Sequence, residues 1–198
     1  MHSTMTLEIP IPTSIVLHVT HEQFTELAIN NPDLKLELTQ NGELIVNPPT
    51  GGESSRKNSS LTTQLGIWYE KNENLGVVFD SSGGFVLPNG AIRSPDASWV
   101  IRERWEALTS QQRRGFVPLC PDFVVELRSA TDSLSKLQKK MQEYINNGAK
   151  LGWLLDPQNK QVEIYRIGKD VEILENPTEL SGENILPEFT LNLKRIFR

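Results

Sequence analysis

The stretch from Cys120 to Ser129 constrains the fold more than any other part of the chain: it reads Cys-Pro-Asp-Phe-Val-Val-Glu-Leu-Arg-Ser. Its apolar residues predict a buried strand over 122–128. Glu126 and Arg128 interrupt that run, and a buried charge is costly unless it is paired or binds a metal. Side chains two residues apart share a strand face, so these two are expected to point the same way. They form either a structural ion pair or part of an active site.

The pattern after this strand predicts an α/β (α+β) fold with a mixed β-sheet flanked by helices. A helix is expected to begin at Thr131 or Asp132 and to run to about 146, and a second buried strand follows over 151–155. A strand, a helix and a strand in this order have the form of a βαβ crossover, whose two strands are parallel.

The other apolar and turn patterns predict the elements that surround this crossover. The long polar segment 102–114 is expected to be a helical insertion. The remaining predictions are helices over 20–29 and 54–71, a hairpin of 34–38 with 43–47 around Asn41-Gly42, strands over 77–79 and 85–87 about the turn 81–84, a strand over 97–101, a hairpin of 162–165 with 171–174, and a last strand over 190–193.

Length and composition limit the classes of protein. The 198 residues suit one domain, placed at 20–198, with an N-terminal extension over 1–19. A net charge of −5 argues against a protein that binds nucleic acid by overall charge, although it allows a local basic groove. The single cysteine, Cys120, excludes an internal disulfide and a cysteine-based zinc site. No secretion signal or membrane-length apolar run is present, so we expect a cytoplasmic protein.

A second carboxylate is needed if Glu126 binds a metal. Asp122 lies four residues earlier on the same strand, roughly 13 Å away, which is too far to share one ion. Asp96 begins the strand over 97–101, and neighbouring strands lie only about 4.8 Å apart. If those strands are neighbours, Asp96, Glu126 and the carbonyl of Leu127 could hold one cation. Such all-oxygen ligation suits Mg²⁺, with Mn²⁺ as a substitute.

These residues carry a resemblance to a known family. Asp96 after Ser-Pro, followed by Glu126-Leu127-Arg128 on the next strand, resembles the PD-(D/E)XK nuclease superfamily. Over roughly 20–197 the chain resembles the Uma-two group of bacterial restriction-endonuclease-like proteins. The segments that carry the closer resemblance are Leu36-Glu37-Leu38 with Asn41 to Leu44, Pro121 to Ser129, Lys140 with Tyr144 and Gly148, Gly152 to Pro157, and Leu186 to Phe189.

The resemblance implies a restriction-endonuclease-like core and Mg²⁺-dependent cleavage of DNA phosphodiester bonds. Asp96 and Glu126 are then the metal ligands. Arg128 stands where the superfamily usually has lysine; it cannot act as a general base but can bind a phosphate. Lys140 matches the group's helical lysine and is the candidate that orients the attacking water, although a solvated helix lysine is an equal alternative.

Further candidates come from other parts of the chain. Glu37 or Glu43 could add a carboxylate from the hairpin. Asn58 stands where relatives often have histidine, so no general base is predicted there. The basic residues of the insertion and of the helix after 132 could contact the DNA backbone or simply be solvated.

Three alternatives to the nuclease remain open from the sequence. A catalytically weakened nucleic-acid-binding or regulatory module is suggested by Arg128 and by the acidic balance of charge. A metal-dependent phosphatase and a purely structural pair of Glu126 with Arg128 are the others. The partners expected for a nuclease are DNA and, for cutting two strands, a second copy of the chain; no membrane partner is expected.

Overall fold

A computed structural model describes residues 16–198. Residues 1–15, which make up most of the predicted extension, lie outside the described residues. Residues 17 and 19 already hydrogen-bond to the first hairpin, through Leu17 to Leu44 and Val19 to Gly42. The part of the predicted extension that the structure describes is therefore attached to the domain.

The helices and strands follow one another in a mixed α/β order. The five α-helices of the described chain are α1 His21–Asn30, α2 Gly52–Glu70, α3 Arg102–Glu106, α4 Ser110–Arg114 and α5 Leu134–Asn146. The strands are β1 Lys35–Leu38, β2 Leu44–Asn47, β3 Gly76–Asp80, β4 Phe85–Val86, β5 Ile92–Arg93, β6 Ala97–Ile101, β7 Phe123–Leu127, β8 Leu151–Asp156, β9 Gln161–Arg166, β10 Glu172–Glu175, β11 Glu179–Ser181 and β12 Thr190–Asn192.

A six-stranded mixed sheet forms the centre, in the order β10-β9-β8-β7-β6-β3. Strands β7 and β8 are parallel and are joined by α5, which confirms the predicted crossover. The other neighbouring pairs of this sheet are antiparallel. The fold is therefore the predicted mixed sheet flanked by helices, with the charged strand β7 inside the sheet and buried along its length.

A second sheet of four short strands, in the order β2-β1-β5-β4, packs beside the first. The predicted hairpin of β1 with β2 is confirmed, with Gly42 in the turn at φ 81°. The strands on either side of the turn 81–84 do not pair with each other, because β3 joins the central sheet and β4 pairs with β5. Strand β5, only two residues long, has no alternating pattern and was not predicted.

Successive residues of β7 face opposite sides of the central sheet and pack into two separate cores. Val125 packs with α2, which buries Leu61, Leu65 and Trp68. Val124 packs on the other side with α5, which buries Met141 and Tyr144. The two helices therefore cover the two faces of the strand that carries Glu126.

The helix ends are only partly as predicted. Thr20, the first residue of the helix predicted over 20–29, is the N-cap of α1 and forms a reciprocal capping box with Gln23. Helix α5 begins at Leu134, and neither Thr131 nor Asp132 caps it; the carboxylate of Asp132 instead accepts from the backbone of Ser129. Within residues 16–198, no helix combines the length and the apolar character needed to cross a membrane.

Gly152 of β8 lies against the side chain of Met141 of α5. A Cβ at this position would lie 2.6 Å from Cε of Met141 and 3.3 Å from Cγ2 of Val124. We expect Gly152→Val to lower the free energy of unfolding by about 1–3 kcal/mol, because overpacking forces α5 outward. Urea denaturation measures this change. In Gly66→Ala, the matched control, the new Cβ meets no described atom within 4 Å and should cost no stability; an equal loss in both variants would contradict the argument.

Candidate active site

Asp96 and Glu126 lie at neighbouring positions of adjacent chain segments, where β6 begins beside the end of β7. Strands β6 and β7 are antiparallel with Ala97 opposite Val125, and the same register, taken one residue further, sets Asp96 opposite Glu126. Asp96 Oδ2 also accepts a hydrogen bond of 2.8 Å from the backbone N–H of Leu127. The structure therefore brings together the three residues from which the sequence predicted a metal site.

Glu126 is buried beneath two groups from α5. Its Oε1 lies 2.8 Å from Nζ of Lys140 and accepts from the hydroxyl of Tyr144 at 3.0 Å. Burial raises the pKa of Glu126 to about 7. The negative charges of Asp96 and Glu37 also raise this pKa, whereas the positive charge of Lys140 lowers it. The buried setting therefore favours the neutral form of Glu126 more than water does, although an ammonium lies beside it.

Lys140 joins this carboxylate to another one from a distant part of the chain. Its Nζ donates to Oε1 of Glu37 at 2.8 Å, and only 14% of its side chain is exposed. Burial alone would lower the pKa of Lys140, but Glu126 and Glu37 outweigh it and raise the pKa above its ordinary value. Lys140 is therefore a buried ammonium that keeps its proton at neutral pH, which rules out a solvated helix lysine.

Glu37 links the small sheet to the loop that carries Asp96. Its carboxylate accepts from the backbone N–H of Ser94 at 3.1 Å and lies 3.3 Å from Nη1 of Arg93. Burial raises the pKa of Glu37, yet Lys140 and Arg93 overcome this and hold it below its usual range. Of the two hairpin acids considered from the sequence, Glu37 reaches the site, whereas Glu43 hydrogen-bonds through its backbone to Thr39 within the hairpin.

Two further side chains contact Asp96, and sequence reasoning gave neither a role at the site. Asn58 of α2 donates to Asp96 Oδ1 at 3.4 Å, and its own Oδ1 is buried without a hydrogen-bond partner in the part of the chain that is described. Lys35 of β1 places Nζ 3.5 Å from the same oxygen of Asp96. The available signal for Lys35 was its position two residues before Glu37, on the same face of the strand.

Arg128 has different partners from Glu126. Its Nη1 lies 2.8 Å from Oδ2 of Asp156, and its Nε donates to the carbonyl of Asp132 at 3.3 Å. The alternative of a structural pair between Glu126 and Arg128 is therefore wrong, because each is paired elsewhere. The role of Arg128 in binding phosphate stays a prediction.

Asp122 is a structural carboxylate at the start of β7. It is fully buried, lies 3.0 Å from both Nη1 of Arg104 and Nζ of Lys150, and accepts from the backbone of Ile101. These contacts hold α3 and the end of the α5–β8 turn against the sheet. Arg104, one of the basic residues of the insertion, is therefore engaged in an ion pair with Asp122.

The donor set fits a hard divalent cation with few protein ligands. Asp96, Glu126 and the backbone of Leu127 offer only oxygen, and the unpaired Oδ1 of Asn58 lies beside Asp96. Within residues 16–198, no group of three or more His, Cys, Asp or Glu side chains could hold a metal ion. Mg²⁺ is a cation that prefers oxygen ligands, takes few of them from the protein and keeps several waters.

Comparison with known proteins shows the family of the chain and a solved structure with the same fold. A family model described as "Uma2: Putative restriction endonuclease" matches residues 21–194. A solved structure described as a "putative nuclease belonging to DUF820 from Anabaena variabilis ATCC 29413" is 22% identical, with a TM-score of 0.68; the alignment covers 82% of this chain and 89% of that one. At this identity the likeness shows a shared fold. No curated protein matches the chain.

The buried carboxyl of Glu126 should make stability depend on pH. Between its ordinary pKa of 4.5 and its folded pKa of about 7, the folded chain keeps a proton that the unfolded chain has lost. The difference in unfolding free energy, wild type minus Glu126→Gln, is therefore expected to fall as pH rises through this window, by at most about 1.4 kcal/mol per pH unit. Urea denaturation at several pH values in metal-free buffer measures it. A difference that stays constant with pH would contradict the raised pKa.

Proposed function

The chain belongs to the Uma2 family, and from that premise we propose that it is a metal-dependent DNA endonuclease that hydrolyses phosphodiester bonds. The observation that carries the proposal is the position of Asp96 opposite Glu126, with a buried lysine on the second carboxylate. Two acids on neighbouring strands next to a fixed ammonium form a site that can hold a cation and an anionic phosphate together.

In this proposal Asp96, Glu126 and the carbonyl of Leu127 hold Mg²⁺, with Mn²⁺ as a substitute. Bound there, the cation would lower the pKa of a water molecule and offset the charge on the phosphoryl oxygens. Asn58 supports the site from α2, because its amide fixes Asp96 and its unpaired Oδ1 can accept from a water molecule.

Lys140 acts in this proposal by orientation and charge. An ammonium has three N–H donors, and the contacts with Glu37 and Glu126 use two of them. The third can hold the attacking water or a phosphate oxygen in line with the reacting phosphorus. Because its raised pKa keeps Lys140 protonated, it does not serve as the general base.

Glu37 and Arg93 hold the parts of the site in place. Glu37 bonds at once to Lys140 and to the backbone of Ser94, two residues before Asp96. Arg93 is held on its other side by Glu143 of α5, at 2.6 Å. This network connects the Asp96 loop, the small sheet and α5. It thereby keeps Lys140 and the carboxylates at fixed positions relative to one another.

Arg128 leaves a second function open. Its guanidinium already donates to Asp156 and to the carbonyl of Asp132, so only its remaining N–H groups are left for a phosphate. If none of them reaches the substrate, the site lacks one cationic contact. The alternative is then a weakened nucleic-acid-binding or regulatory module that binds the metal and DNA without cutting. A homodimer, which would let two sites cut two strands, stays a prediction.

Neutral replacement of either acid should abolish metal-dependent cleavage. We expect Asp96→Asn and Glu126→Gln to cut a labelled DNA duplex about a thousandfold more slowly or not at all, which corresponds to about 4 kcal/mol of transition-state stabilisation. Isothermal titration with Mg²⁺ and Mn²⁺ should show a matching loss of affinity.

Glu163→Gln is the matched control for these variants. Glu163 is also a buried carboxylate of the central sheet, but its partners are Gln138 and Tyr165. This variant should cleave and bind metal like the wild type. Cleavage at the wild-type rate by Asp96→Asn or Glu126→Gln would contradict the assignment of these residues. If the wild type binds metal and DNA but does not cleave, the binding module is favoured.

A further inference from the structure

Lys35 is the more accessible of two lysines that contact the candidate metal ligands. Its Nζ lies 3.5 Å from Oδ1 of Asp96, and 35% of its side chain is exposed, against 14% for Lys140. Lys35 therefore lies at the open side of the site, where a substrate would arrive, while Lys140 lies beneath it.

The two ammonium groups differ in how firmly they are held. Lys140 is bound by two buried carboxylates, and removing it would leave both Glu37 and Glu126 without their shared cation, which is strongly unfavourable. Lys35 has one longer contact, with a carboxylate that also interacts with Asn58 and Leu127. A partly exposed pair of this kind contributes little to stability, so Lys35 can exchange its partner readily.

Strand geometry directs Lys35 towards the site. Along β1, Leu36 and Leu38 are buried and pack in the core of the small sheet, so Lys35 and Glu37 share the opposite face. Glu37 on that face reaches Lys140, and Lys35 on the same face reaches Asp96. The backbone that carries Lys35 is thus fixed by pairing with β2 and β5, although its ammonium is free to move.

We propose that Lys35 is a further catalytic residue that contacts the phosphate to be cleaved. This inference rests on the proposed nuclease function. Lys35 would be repelled by a cation held at Asp96, and a phosphate oxygen of the substrate could then replace the carboxylate as its partner. Lysine is a compact positive charge with three donors and suits such an oxygen. Lys35 then pairs with Asp96 in the empty site and with the substrate in the occupied one.

The proposal predicts opposite effects on metal binding and on cleavage. In Lys35→Ala and Lys35→Met, Mg²⁺ affinity without DNA should rise several-fold, because a competing positive charge beside Asp96 is gone. Cleavage at saturating Mg²⁺ should fall about ten- to hundredfold, since a charge-assisted contact to the substrate is lost. Lys35→Arg should retain more of the activity, because it keeps the charge.

Binding of uncut DNA gives a readout that does not depend on turnover. With Ca²⁺ in place of Mg²⁺, the slope of log affinity against log salt should become shallower by about one in Lys35→Ala, as expected when one phosphate contact is removed. The matched control is Lys169→Ala, which removes an exposed lysine of the turn between β9 and β10 and should change neither metal affinity nor cleavage.

The outcomes separate this inference from the function on which it rests. If the wild type cleaves and Lys35→Ala cleaves equally fast at saturating Mg²⁺, Lys35 only neutralises Asp96, and the inference is overturned while the nuclease remains. If the wild type neither binds Mg²⁺ nor cleaves DNA, both proposals fall. Tighter metal binding combined with slower cleavage supports Lys35 as a substrate contact.

Discussion

The shared ammonium of Lys140 is the interaction on which the rest of the site depends. Two buried carboxyl groups from different sheets, Glu37 and Glu126, meet at this one ammonium, and a charge buried without a partner is strongly unfavourable. That single group lets β1, β7 and α5 meet around one point. The hydrogen bond from the backbone of Ser94 to Glu37 fixes the loop that carries Asp96. The pairing of Glu37 with Lys140 therefore also helps to set the position of Asp96.

Much of the architecture could be predicted because short-range patterns carried it. The apolar run of β7, the helix after it and the second apolar run of β8 were sufficient for the parallel crossover, and Asn41-Gly42 was sufficient for the first hairpin. The strand predicted over 85–87 contains β4, but its pairing with β5, and the two-residue strand β5 itself, could not be read in this way. Strand β5 also pairs with the distant β1, and two residues are too few to leave a periodic signal.

The positions of the acidic residues of the candidate site could be predicted from the sequence, but the contacts of its basic residues could be predicted less well. A charge in a buried strand and an acid at the start of the neighbouring strand stand out in a sequence, whereas the partners of a long cationic side chain depend on rotamers and on remote elements. Arg128 shows this, because it turns to Asp156 on the adjacent strand and not to Glu126. Lys35 and Asn58 contact Asp96 only through the packing of β1 and α2 on the central sheet.

The contact between Glu37 and Lys140 spans 103 positions of the chain, and this separation bears on how the protein is made. Domains are synthesised from the N-terminus, so a growing polypeptide carries its acidic residues for some time before the ammonium that must neutralise them leaves the ribosome. The hairpin can form early, but the charged centre can close only after α5 has been translated. Assembly of the site is therefore a late event of biosynthesis.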